Sequence, residues 1–392
     1  MTGFARASLA SRIVRGSPRA AWSRVLRGAF IGAILAFAPG CASGPARSTV
    51  DAPLTEFIHT SAVGDMRASV SAASPLVSEP ISIERGFTEA ILSANADVPA
   101  GSGIVVEIRV GQSAAVSADH AEFWSPWMPM MSWGQPVPDA PDSASSFGGA
   151  DEPRRGKIDI DTFVAPAAAR FDRLAWRVRA TGAAASTVRR IAWTTTAESG
   201  TRSWSETLAD ARRAAEANRP LPNQRLRTLD VPHRSQRTDR AELAGRLCSP
   251  TSVAMVLAYR GKPVPVLGVA ECAYDAAHDV YGNWARNIQA AYTLGVPGYL
   301  TRISSWSEAE AFIARGTPLV ISVRFGPGEL PAAFEKTDGH LIVLTGFTPE
   351  GDATVNDPAF GDEREGRRVY PRADLERAWM SNTAGTTYVL GE

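Results

Sequence analysis

The hydrophobic period of this chain changes once, near residues 200–225, and that change requires two differently built domains. Before it, apolar residues fall on strand-like runs at 104–110, 157–161, 174–179 and 188–193, the last three alternating with polar ones. A period of two puts successive side chains on opposite faces of a strand. With Gly, Pro and Ser clusters between the runs, the pattern predicts an antiparallel β-sandwich over 54–200, with one face of each sheet buried. Residues 206–218 are rich in Ala, Arg and Glu and are then broken by Pro220 and Pro222, so 201–225 reads as a linker helix. From 226 to 392 strands alternate with helical segments, which predicts an α+β domain. Its short strands are expected at 319–325, 341–347 and 353–356, the last two joined by a hairpin connection over 348–352.

A length of 392 residues agrees with two domains. The formal charge is zero but unevenly spread: the first 40 residues hold six Arg and no acid, leaving the rest at −6. A mildly acidic body argues against a nucleic-acid partner, which needs a basic face. The Arg-rich head precedes an apolar run of about ten residues at 29–38, too short to cross a bilayer but suited to an export signal. Residues 1–40 are therefore expected to be a signal peptide, and 41–53, rich in Ser, Gly, Pro and Ala, a tether. Small residues before Cys41 resemble a bacterial lipobox, which would make Cys41 a lipidation site and anchor an exported protein to the membrane. The other reading is an ordinary secretory signal with a coincidental cysteine.

Three cysteines, Cys41, Cys248 and Cys272, make no disulfide framework. Cys248 precedes Ser249, a good N-cap, and Pro250, which suits a first helical position. A thiol at a helix N-terminus gains from the local positive potential when it ionises. Of five histidines, His340 follows Gly339 and opens an apolar strand, where it can face a cleft. Folding about residue 350 returns the chain so that Asp357 stands beside His340, where a carboxylate can orient an imidazole. Asn356 is the reserve candidate for that role.

These residues resemble the papain-like cysteine peptidases, in the branch of the double-glycine, bacteriocin-processing peptidases. The resemblance spans about 227–391. It is carried by Leu229-Asp-Val-Pro-His-Arg-Ser-Gln236, Cys248-Ser-Pro-Thr-Ser252, Gly282-Asn-Trp284, Gly339-His340 and Asn356-Asp-Pro358. Ser249 stands where the family usually has Gly. The order Gln, Cys, His, Asp is the family's order, and it implies Cys248 as nucleophile, His340 as base, Asp357 as its orienting partner and Gln236 as an oxyanion donor. It implies an amide-cleaving thiol hydrolase acting on a peptide or protein, with cell-wall material among the candidate substrates.

Trp284 and Asn287 are expected to begin a helix lining the cleft and to touch substrate, although core packing is an equal reading for Trp284. Cys272 lies in a helix-like run and is expected to be buried and inert. His278 with Asp275 and Asp279 could suggest a metal, but two acids around a helical His are more often a solvated face; no metal is expected. No phosphate loop, dinucleotide fingerprint or zinc spacing appears, and no cofactor is expected. Trp124, Trp127 and Trp133 could form a sugar-stacking platform in the β-domain, or could plug its core. Two rival functions stay open: a surface lipoprotein binding glycan or protein with a degenerate peptidase domain, and an acyl transferase using the same residues.

Overall fold

The computed structural model describes residues 53–117, 121–140, 156–166, 169–217 and 228–392. The expected signal peptide, almost all of the tether and Cys41 lie outside the described residues. Among those described, no helix is long and apolar enough to cross a membrane.

Residues 54–202 build two sheets, antiparallel throughout. One runs in the order Leu54–Val70, Ser186–Arg202, Glu89–Asp97, Thr162–Val164, Lys157–Asp159. The other centres on Gly103–Gln112, which pairs with Phe171–Thr181 on one side and Met128–Gly134 on the other. Their inward side chains share one core, in which Phe87, Phe163 and Phe171 meet edge to face or tilted at 5.3–6.2 Å between ring centres.

A sandwich with one face of each sheet buried leaves the other face wet, and at the strand-like run 104–110 the structure departs from that. Glu107 falls on that face yet is fully buried. Its carboxylate accepts from Arg177 at 2.6 and 3.1 Å and from Arg179 at 3.0 and 3.2 Å. Beside it the Arg109 guanidinium lies 4.7 Å from the ring centres of both Trp124 and Trp127, and Arg177 lies 4.6 Å from that of Trp127. Planar guanidinium stacks well on indole, so an arginine–tryptophan layer roofs the second face. The rings expected to offer a sugar platform are thus engaged by arginines, and Trp133 meets Arg286 from the other domain at 5.0 Å.

After helix α1 (Trp204–Ala217), residues 228–392 form three leading α-helices and then a six-stranded sheet with shorter helices, such as Trp306–Ala314, between its strands. The helices are α2 (Cys248–Tyr259), α3 (Val266–Ala273) and α4 (Trp284–Thr293). The sheet order is Gly298–Arg302, Thr386–Leu390, Leu319–Phe325, Thr337–Phe347, Ala353–Asn356, Arg367–Tyr370, with every pair antiparallel. The 319–325 and 353–356 strands stand where the sequence puts them; the middle one begins four residues early, at Thr337. The connection over 348–352 closes through the Thr348 N–H, which donates to Asp352 O at 2.8 Å. Gly351 there has φ +93°, a left-handed value that glycine adopts without strain.

The two domains meet through buried polar groups. An edge strand leaves a row of N–H groups unpaired, and Gly298–Arg302 is such an edge. Its Gly298 N–H donates to Asn95 Oδ1 at 3.1 Å and its Leu300 N–H to Ser93 Oγ at 2.9 Å. Ser93 and Asn95 are two apart on one strand, so they face the same way. Arg302 completes the row with Glu89 at 2.6 Å and Thr196 at 2.9 Å. Gln289 of α4, fully buried, accepts from the Ala96 N–H at 2.9 Å and donates to Ala96 O at 2.8 Å. Leaving one such buried group unpaired costs about 1–3 kcal/mol, so this set fixes α4 and the edge strand against the β-domain.

Candidate active site

Helix α2 begins at Cys248 itself, two residues earlier than Ser249 as N-cap would require. The Ser249 hydroxyl does not cap the helix; it shares a hydrogen bond with the Tyr388 hydroxyl at 2.9 Å in the core. Pro250 then sits in the first turn, where backbone N–H groups have no intrahelical partner and a missing one is tolerated. One turn on, the Ser252 hydroxyl donates to Leu341 O at 3.0 Å. That bond ties α2 to the residue after His340 and sets the thiol against the imidazole. Ser252 lies four residues after Cys248, on the same helix face.

The Cys248 thiol and the His340 imidazole are electrostatically coupled, each favouring the charged form of the other. His340 Nε2 donates to Asp357 Oδ1 at 2.8 Å, which leaves Nδ1 for the sulfur. His340 and Asp357 are 2% and 1% exposed, so each ionises only because the other is there. The hairpin supplies the register: Val343 pairs with Asn356, bringing the start of one strand and the end of the next to the same edge of the sheet.

Asp357 is held at every polar atom. Its Oδ1 also accepts from the Ala359 N–H at 2.9 Å and its Oδ2 from the Tyr370 hydroxyl at 2.8 Å. Its own N–H donates to Gly366 O at 2.8 Å, and its C=O accepts from His233 Nε2 at 3.0 Å. A Cβ on Gly366 would stand 1.9 Å from His233 Nε2, so only glycine lets His233 approach. Asn356, the reserve for Asp357, spends its amide on Val231 O at 2.7 Å and does not reach the imidazole role.

Residues 229–236 run alongside this hairpin: Leu229 N–H donates to Thr345 O and Gln236 N–H to Pro358 O, both at 2.8 Å. Gln236 is thereby fixed next to Asp357, 5% exposed, with its Oε1 lacking a hydrogen-bond partner among the described residues. Phe334 meets the His340 ring at 5.2 Å, edge to face.

Electrostatics follow from these contacts. Burial alone would raise the Cys248 pKa; the hydrogen bond and charge of His340, with the Leu341 and Ser249 N–H groups, bring it below the usual thiol value. For His340 burial acts downward, but Asp357 and the thiolate prevail and raise it. For Asp357 burial acts upward, and His340, the Ala359 N–H and Tyr370 bring it below the usual carboxylate range. All three shifts favour a thiolate–imidazolium pair, the reactive form of such a site. By contrast burial pushes the half-buried Cys272 thiol up.

Cys248 opens on a cleft of about 980 Å³ that Trp284 also lines. Asn287, expected beside it, is fully buried. Its amide donates to Tyr281 O at 2.8 Å and Asn283 O at 2.7 Å, so it secures the turn before α4 and does not face the cleft. Asp275 takes His278 at 2.8 Å, while Asp279 turns to Tyr274 at 2.8 Å and Arg246 at 2.8 Å; the three do not converge on a common point. Sequence reasoning missed Tyr370, His233, Ser252 and Phe334. Of these, His233 and Ser252 stand inside the motifs that carry the resemblance, and that was the available signal.

Asp357→Asn removes the negative charge that holds the proton on His340. The weakened imidazolium stabilises the thiolate less, so the midpoint of Cys248 alkylation by iodoacetamide should move to higher pH while that of Cys272 stays put. An unmoved Cys248 midpoint contradicts the coupling. Tyr370→Phe keeps the charge and strips one donor from a buried carboxylate; denaturant unfolding should show a loss of about 1–3 kcal/mol.

Residues 228–386 match the family model described as Peptidase_C39 like family, and residues 49–214 match the Peptidase C39 N-terminal domain. Among curated proteins nothing matches. Two solved structures are similar in part. One is a double glycine motif protease from an AMS/PCAT transporter in complex with the leader peptide, 24% identical, covering 44% of this chain and 96% of its own, with a TM-score of 0.27. The other is a C39-like peptidase from Bacillus anthracis, 21% identical, covering 42% and 98%, with a TM-score of 0.32. The two family matches thus make this chain similar to C39-type peptidases over both of its domains.

Proposed function

We propose that the protein is a thiol hydrolase that cleaves amide bonds in peptides through Cys248, His340 and Asp357. The observation that carries the reading is the buried hydrogen bond of His340 to Asp357 at 2.8 Å, with the imidazole coupled to the Cys248 thiol at the wall of an open cleft. His340 Nδ1 takes the thiol proton and the sulfur attacks the substrate carbonyl carbon. The tetrahedral oxyanion accepts from the Cys248 N–H and the Gln236 amide, a pair of donors of which each is worth about 2.7–4 kcal/mol in such sites. Imidazolium returns its proton to the leaving amine, and water then hydrolyses the acyl-thioester with His340 again as base. The match to the Peptidase_C39 like family supports a peptide substrate. With the base hydrogen-bonded to the orienting acid and coupled to the nucleophile, a degenerate domain that only binds is the weaker reading.

Export to the far side of the cytoplasmic membrane, with a lipid anchor on Cys41, is part of the same proposal and rests on the Arg-rich head, the short apolar run and the small residues before that cysteine. Two acyl chains hold a protein firmly where one does so marginally. Cys41→Ser should therefore move the protein from the membrane fraction to the soluble fraction; wild type already soluble outside the cell would remove the anchor but not export.

Cys248→Ala and His340→Ala should abolish nearly all peptide turnover, and Asp357→Ala much of it. Because the three act as a unit, the Cys248→Ala, Asp357→Ala double variant should be little worse than Cys248→Ala alone. Rates are read per titrated Cys248 in folded protein. Full turnover per site in Asp357→Ala would end its assignment.

A further inference from the structure

The β-domain reaches into the cleft. Its hairpin, Lys157–Asp159 paired with Thr162–Val164, turns on two residues, Ile160 and Asp161. Both line the same cleft as Cys248 and Trp284. Asp161 explains how the hairpin is held: it is 5% exposed, one carboxylate oxygen accepts the Trp284 N–H at the start of α4, and the other accepts the Thr162 hydroxyl at 3.2 Å. Burial lifts its pKa to about 7; Asp275, His278 and Arg302 are the charged neighbours, and Tyr388 stands close by. Ile160 is not explained by docking. Its φ is +58°, a left-handed conformation that penalises a β-branched residue, and such two-residue turns ordinarily take Asn, Asp or Gly. It is also exposed, outside the core, at 37%. A strained apolar residue at a turn, facing a cleft that holds a nucleophile, marks a functional position.

We propose that this hairpin makes the β-domain part of the substrate site. Ile160 contacts an apolar side chain of the bound peptide within two residues of the scissile bond, in the cleft that Trp284 also lines. Phe57 and Val164 add apolar surface to the same cleft. Asp161 is a positioning residue: it fixes the start of α4, and with it Trp284. The inference rests on the peptide-hydrolase reading and names the element that selects among peptides.

The test uses the full chain and a synthetic library of random decapeptides, with cleavage sites read by mass spectrometry and Cys248 competence read by iodoacetamide. Wild type should enrich an apolar residue at one position within two of the cut bond. Ile160→Gly relieves the turn, so it should melt no lower than wild type and keep its alkylation rate, yet lose that enrichment about tenfold, the scale of discrimination by an apolar pocket. Asp161→Ala should raise KM for all cleaved peptides, and Asp161→Asn, which still accepts the Trp284 N–H, should restore it. No apolar preference in wild type, or the same preference in Ile160→Gly, overturns the inference while leaving the hydrolase intact. A wild type that alkylates at Cys248 but cuts no peptide overturns the peptidase reading itself, and this inference with it.

Discussion

The hydrogen bond from His340 to Asp357 is the constraint around which the rest of the catalytic domain is arranged. A buried imidazole and a buried carboxylate each cost several kcal/mol to bring out of water, and their attraction offsets this only with good geometry and satisfied lone pairs. Asp357 meets that condition through Ala359, Tyr370 and His340 on its oxygens, and through Gly366 and His233 on its backbone. A well-packed apolar pair in the same place is often as stable or more so. Stability therefore does not account for an ion pair here; the proposed role beside the Cys248 thiol does.

The same logic runs outward. Ser252 ties α2 to the His340 strand, and residues 229–236 are laid along the hairpin that carries Asp357. At the domain boundary Ser93, Asn95 and Gln289 cap backbone groups that a sheet edge and a strand would otherwise leave bare. Each of these is a directional bond, so they fix distances where apolar packing would fix only proximity. The arrangement makes the β-domain a part of the cleft architecture, through the contact of Asp161 with the first N–H of α4.

Much of this was legible from residues alone. The change of hydrophobic period marked where the β-rich part ends, and three short strands of the catalytic domain were placed within a few residues because apolar runs bounded by turns are a local signal. The pairing of His340 with Asp357 could be reasoned from one hairpin, since its register follows from a short connection. What stayed hidden was long-range. The burial of Glu107 could not be read locally, because Arg177, Arg179 and the indole layer arrive from distant segments. Asn287 looked cleft-facing because its place near Trp284 does not reveal which side of α4 packs inward. Ser249 read as a cap because its Tyr388 partner lies 139 residues away. Asp161, from the other domain, gave no sign at all.

The central claim is that Cys248 forms a covalent acyl intermediate under the control of His340. The most direct test is to quench the wild-type protein rapidly after mixing with a peptide thioester or activated ester, digest it, and map any acylated residue by mass spectrometry. The account predicts an acyl group on Cys248 that forms faster than it is lost, that accumulates far more slowly in His340→Ala, and that never appears on Cys272. Hydrolysis of the ester with Cys248 unmodified at every quench time, or equal acylation of Cys248 and Cys272, would contradict it.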